Sequence, residues 1–261
     1  MYKLPTALLL LALFLAPQSA TAAPLSAEAM VKTLKTIDDR QRNGGDYKTL
    51  AFIEQKERGK TDLIYETVIF RRDLDDKLMI LFTKPRVEAG KGYLRIDKNL
   101  FMYDPTVGKW ERRTERERIG GTSSRRTDFD ESRLAEEYTP QYVAQEKLGK
   151  FSVHHLKLTA KKGVDVAYPF IELWIDTATS NVLKRQERAQ SNKLMRTAYY
   201  PKWNKIFSES KGDYIYFPKE IRIFDELEKG KKPLIAFRKV DLSTLPNNIF
   251  TKAWLESKSR Y

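Results

Sequence analysis

Between residues 47 and 104, each run of β-forming residues meets a break within a few positions, and this spacing limits the fold more than any other feature. The runs fall at 47–55, 63–71, 77–83, 92–96 and 100–104, with Asp75-Asp76 and Val107-Gly108-Lys109 among the turn signals. A parallel crossover needs a dozen or more residues, so connections this short predict hairpins and an antiparallel sheet. Further runs at 151–159, 169–176, 182–187, 194–200, 220–224 and 233–240 continue the pattern. One amphipathic helix precedes them, with Ser26 as N-cap and Met30, Leu34 and Ile37 on one face beside Val31. A second helical piece is expected over 130–138, and a last helix over the segment carrying Phe250, Ala253, Trp254 and Leu255.

Alternation along the strands predicts which way the sheet turns. Ile171, Leu173 and Ile175 make one purely aliphatic face, while Phe170, Glu172, Trp174 and Asp176 point the other way. Leu94 and Ile96 alternate with Tyr93 and Arg95 in the same manner. The run KLMILF (77–82) is apolar on both faces and reads as a central, covered strand. A long antiparallel sheet with an aliphatic face must curl over something. That is either its own helices or its helices together with an apolar ligand.

The N-terminus has the layout of a secretory signal peptide over 1–22: Lys3, the apolar run LLLLALFLA (8–16), then Ala20-Thr21-Ala22 before Ala23-Pro24. The apolar run is shorter than the ~20 residues of a spanning helix. A mature chain of 23–261, one domain, exported and cleaved near Ala22/Ala23, is expected. With 48 Lys+Arg against 35 Asp+Glu, the formal charge is +13. Such a balance favours acidic partners, and export argues against nucleic acid among them. There is no cysteine, which excludes disulfides, thiolate metal sites, a cysteine nucleophile and a lipidated cysteine anchor.

Motifs for chemistry fail one by one. His154 and His155 are adjacent in a strand, so they point to opposite faces and do not form a metal pair. Asp73, Asp75 and Asp76 lack the glycine and distal glutamate of a calcium loop. Gly120-Gly121-Thr122-Ser123-Ser124 is neither a nucleophile elbow nor a P-loop. No catalytic residue, metal site or cofactor is expected. The charged stretch ERRTERERIGGTSSRRTDFD (111–130) sets six arginines against five acids, and reads as a hairpin end and loop.

Four segments, KPRVEAGKGYL (84–94), NLFMYDP (99–105), Gly121-Thr122-Ser123 leading to Asp128-Phe129, and ELWID (172–176), together resemble the LolA-like family of periplasmic outer-membrane lipoprotein-sorting proteins. The branch they are most similar to is that of the uncharacterised sorting proteins. Where that family often carries tryptophan before the tyrosine of the second motif, this chain has Phe101 and Met102. The resemblance implies a mainly β (α+β) fold: a strongly curved antiparallel sheet forming an incomplete β-barrel, with helices packed in or across its open side. It implies a periplasmic carrier that binds acyl chains of lipoproteins or lipids and delivers them towards the outer membrane, not an enzyme. An RseB-like interaction or sensing module, or a carrier of a free hydrophobic molecule working with a permease, are the alternatives. An inner-membrane permease complex, an outer-membrane acceptor and a monomeric state go with the carrier.

The lining expected for such a cavity is drawn from the aliphatic faces. The sheet supplies Phe52, Ile80, Phe82, Leu94, Ile96 and Met102, then Ile171, Leu173 and Ile175. Met30 and Leu34 of the first helix face them. The same residues equally suit an ordinary core. Arg125 and Arg126 are expected at the rim, meeting head groups or a partner's acids.

Overall fold

A computed structural model describes residues 24–57, 59, 61–96, 99–114, 116–228 and 231–259; the expected signal segment lies outside them. Its first element is the helix α1 (Ala27–Gln41), where the Ser26 side chain accepts from the Ala29 amide at 3.1 Å and Met30, Leu34 and Ile37 are buried. Six strands follow as a meander: β1 (Asp46–Glu57), β2 (Leu63–Arg72), β3 (Lys77–Lys84), β4 (Gly92–Ile96), β5 (Asn99–Asp104) and β6 (Lys109–Arg113). Residues 114–137 then connect to a second meander and include α2 (Leu134–Glu137). That meander comprises β7 (Tyr138–Leu148), β8 (Phe151–Ala160), β9 (Phe170–Asp176), β10 (Val182–Arg188), β11 (Leu194–Ser208), β12 (Asp213–Asp225) and β13 (Lys231–Asp241). A short helix, α3 (Lys252–Lys258), comes last.

All pairings are antiparallel, and β13 joins the two meanders by pairing with β1, for instance Ile53 with Ile235. The result is one 13-stranded sheet in the order β6-β5-β4-β3-β2-β1-β13-β12-β11-β10-β9-β8-β7. It does not close, because β6 and β7 are its two free edges. The mainly β, antiparallel architecture is the one the strand spacing predicts, and its incomplete closure is the one the family resemblance implies.

The expected helix over 130–138 shrinks to the four residues of α2, because the chain turns at Tyr138 into β7. Both β6 and β7 were invisible as strands: their exposed positions carry charge and polar groups, and Pro140 interrupts the second. Residues 201–207 and 213–219, where Pro201, Asn204 and Pro218 read as breaks, also belong to strands, in the long β11–β12 hairpin.

Each face of the sheet buries a different set. The inner face wraps α1 and residues 114–137. Against the outer face of β2–β4 lie α3 and the turn before it, where Leu245, Ile249, Phe250 and Leu255 pack on Phe70, Met79 and Leu94. Gly92 permits this approach: a Cβ there would stand 2.8 Å from both Leu255 methyls and from the Ile80 carbonyl. Leu255 is fully buried, so Leu255→Ala should leave a cavity and cost about 2–5 kcal/mol. Urea unfolding of the mature chain, with an unchanged m-value, checks this.

Candidate functional site

Strand parity divides the inner face into two apolar halves. Ile53 of β1, Ile69 of β2, Ile80 and Phe82 of β3, Ile221 of β12 and Ile235 of β13 form the first, with Met102 packed at its margin. Met30 and Leu34 of α1, with Leu156, Leu158, Ile171, Leu173 and Ile175 of β8 and β9, form the second. The expected lining residues on β3, β5, β9 and α1 are therefore inward-facing, in two groups. Leu94 and Ile96 are not with them. They belong to the outer cluster under α3, because β4 turns Tyr93 and Arg95 inward. Phe52 alternates with the inward Ala51 and Ile53 and is half-buried on the outer face.

Between the two apolar halves runs a seam of buried charge that the aliphatic reading of the strands missed. Its fixed side comes from inward strand positions: Arg71, Arg95, Arg185, Glu187 and Arg196. Its other side comes from the 114–137 connection. Asp128 accepts from Arg196 at 2.5 Å, and Asp130 pairs with Arg95 at 3.1 Å and with Arg126. Glu131 takes Arg42 at 2.7 Å and Arg133 at 2.8 Å, and Arg133 also reaches Asp76. Thus Arg126, expected at the rim, is 6% exposed and lies inside the sheet. Only Arg125 of that pair remains half-exposed, its guanidinium 5.8 Å from the centre of the Tyr168 ring.

The connection is seated by few apolar contacts. Ile119 and Phe129 join the first apolar half, and Leu134 joins the second. Gly120 has φ 59°, and a Cβ there would stand 2.8 Å from the Phe82 ring, so glycine is required both by conformation and by space. Its amide donates to the Tyr93 hydroxyl at 3.1 Å. Ser123 donates to Asp225 at 2.9 Å. Asp38 of α1 accepts from the Ser132 hydroxyl at 2.6 Å and from the Leu134 and Ala135 amides at 2.9 and 2.7 Å.

What space remains inside is a cavity of about 70 Å³, bordered by Arg71, Asp130, Leu173, Arg185, Tyr200 and Trp203 among others. Ligand pockets span roughly 300–1,000 Å³, so this one holds water at most. In this conformation residues 116–137 fill the concavity between the two apolar halves.

Two families of pKa shift follow from burial and charge. Burial alone would raise the Asp130 carboxyl, but Arg126, Arg95, Arg71 and Arg133 outweigh it and hold it at about 2. Burial also opposes ionisation of Glu187, yet Arg185 and Arg196 depress it. Burial dominates at Asp38 and Glu131, and both are raised.

The histidines sit on opposite faces, as alternation requires. His155 is stacked on Trp174 with centroids 4.2 Å apart and bonded to Glu172 at 2.8 Å, on the outer face. His154 is tilted against Tyr142 at 6.1 Å. Among the described residues, no group of three or more His, Asp or Glu side chains is arranged to hold a metal ion.

A family model described as an uncharacterized protein matches residues 74–257. No curated protein matches the sequence. Among solved structures, the chain is similar to a LolA superfamily protein from Nitrosomonas europaea, with TM-score 0.73 and 20% identity over 88% of this chain and 99% of that one. It is similar to a putative outer membrane lipoprotein-sorting protein domain from Vibrio parahaemolyticus, with TM-score 0.76 and 17% identity over 88% and 100% of the two chains. A DUF1329 family protein from Desulfovibrio piger superposes at TM-score 0.77 with 17% identity, over 88% and 98%. These likenesses establish that the chain shares the fold of these three structures.

The Asp130 pairing makes a testable statement about acid. Its folded pKa lies below that of an unfolded aspartate (~3.9), so its stabilisation is complete above pH 4 and lost as pH falls through about 2. This contributes about 2 kcal/mol; Asp38 and Glu131, being raised, act in the opposite sense. Asp130→Asn should cost about 3–5 kcal/mol at pH 7, by removing the buried carboxylate that Arg95 and Arg126 share. It should also flatten the acid limb between pH 4 and 2 relative to the unsubstituted chain. Denaturant midpoints measured across pH for both proteins check the sign.

Proposed function

This chain belongs to the family whose model matches residues 74–257, and we propose that it is an exported carrier of acyl chains. In this reading the leader is removed near Ala22/Ala23 and the monomeric mature chain takes lipid or lipoprotein tails on its inner face. It passes them towards the outer membrane, between an inner-membrane permease complex and an outer-membrane acceptor, without bond-making chemistry. The lipoprotein-sorting description of the Vibrio parahaemolyticus domain agrees with this direction of traffic.

The observation that carries the reading is how the concavity is filled. Its walls are aliphatic on both halves, yet its occupant is a charged connection held by three apolar side chains, Ile119, Phe129 and Leu134. Burying one such side chain stabilises by about 1.5–3 kcal/mol, and each acyl methylene by about 0.8 kcal/mol. Three side chains are therefore matched by roughly six to eleven methylenes. An ordinary lipid tail exceeds that. The ion pairs oppose the exchange, because Arg95 and Arg196 stay on the wall while Asp130 and Asp128 leave with the connection, and the acyl surplus has to offset that loss. Only a tail longer than this supplies the surplus, and its departure lets the connection return, as a reversible carrier requires.

With no native cysteine, a lock on this exchange is simple to build. Ser123→Cys with Asp225→Cys replaces a 2.9 Å hydrogen bond between the connection and β12. The oxidised form should lose binding of a fluorescent fatty acid at least tenfold and recover it on reduction. Equal binding in both redox states would show that 114–137 is not the gate. Native mass spectrometry of the unsubstituted chain without bound lipid, together with no probe binding, would sink the carrier itself.

A further inference from the structure

Where residues 116–125 leave the interior, two depressions of about 530 and 650 Å³ open to solvent, and Arg116 and Arg125 border both. The other charges of the larger one are compensated. Lys91 pairs with Glu88 at 3.0 Å, Arg118 with Asp225 and Glu228 at 2.9 and 2.8 Å, and Glu117 with Arg113 at 3.9 Å. Neither Arg116 nor Arg125 has an ion-pair partner among the described residues. Moreover, Arg125 Nε is buried without a hydrogen-bond partner. Against these two cations, Asp165 on the lip of the smaller depression is the one lining acid without an ion pair among the described residues. That depression has an apolar wall of Val164, Val166, Ala167 and Met195. Val166 is itself part of the cluster around α1, so the wall is continuous with the second apolar half.

We propose that this trough binds the head end of an anionic amphiphile, with a phosphate or carboxylate on Arg116 and Arg125 and the first methylenes along Val164, Val166 and Met195. The inference rests on the carrier reading and adds which end of the cargo is recognised. Guanidinium forks bind phosphate and carboxylate oxygens in a bidentate manner. An anion gains charge-assisted hydrogen bonds from both guanidinium groups, and a neutral head group does not. The two depressions lie within the size range of ligand sites. A soluble anion would use the arginines and ignore the apolar wall, whereas an amphiphile uses both.

The test is a calorimetric titration of the mature chain with lysophosphatidylglycerol and with the monoacylglycerol of the same chain length, both below their aggregation concentrations. The anionic lipid should bind at least tenfold more tightly. Arg116→Gln with Arg125→Gln should abolish that preference and leave the neutral lipid unaffected. Val164→Glu, at a position 38% exposed and so outside the core, should weaken both lipids. Circular dichroism melts confirm that the variants fold. Equal affinity for the two heads, or a preference that survives the double substitution, overturns the proposal and leaves the carrier standing. Competition by inorganic phosphate at the lipid's own concentration would make this a soluble-anion site, which also overturns it. Binding of neither lipid removes both the trough and the carrier.

Discussion

Consecutive strands β6 and β7 stand at opposite edges of one 13-stranded sheet, and this separation dictates much of the rest. A chain that meanders outward from β1 to β6 must return to start the second meander at the far edge. Residues 114–137 are that return, and crossing the inner face is the short way round a curled sheet. The segment therefore fills the concavity by topology. Its sequence then only has to make the crossing tolerable, with Ile119, Phe129 and Leu134 for the apolar walls and acids and arginines for the strands' inward charges.

The charged seam explains why that filling is specific. Deleting one member of a buried pair is costly, because its partner is left alone in low dielectric. Arg196, 3% exposed and pinned between Asp128 and Glu187, thus fixes where the connection sits. Yet the net worth of intact pairs is small, since both charges were well solvated before folding. A purely hydrophobic plug of this length would be a core, and nothing modest would displace it. Register comes from charge, and affinity from only three side chains.

Much of the fold was legible, because hairpin spacing and period-two alternation are local signals. The inward sets of β3 and β9 follow from Ile80, Phe82, Ile171, Leu173 and Ile175 once either face is known. What failed was parity in β4. Leu94 and Ile96 are more apolar than Tyr93 and Arg95, so hydrophobicity alone turns them inward. In the structure α3 supplies the outer face with an apolar cover, and Asp130 supplies Arg95 with a buried partner. Neither is readable within β4, since α3 follows some 150 residues later and Asp130 lies in the connection. The edge strands β6 and β7 were missed for the complementary reason: solvated edges need no apolar alternation, and charge and proline there discourage further strand pairing.

The same connection carries both the interior seam and the mouth. Arg125 faces the trough while Arg126, its neighbour, is locked to Asp130 inside. The Arg125 amide also donates to Asp128, whose carboxylate holds Arg196. An anion drawn to Arg125 therefore acts on backbone that is one residue from the interior hold, with no intervening flexible link. In the proposed carrier, head-group capture and release of the plug share one lever. The outer part of that lever is screened by salt, being open to solvent, while the inner pairs are not. Ionic strength should accordingly govern how readily cargo is captured, leaving the closed conformation itself nearly unaffected.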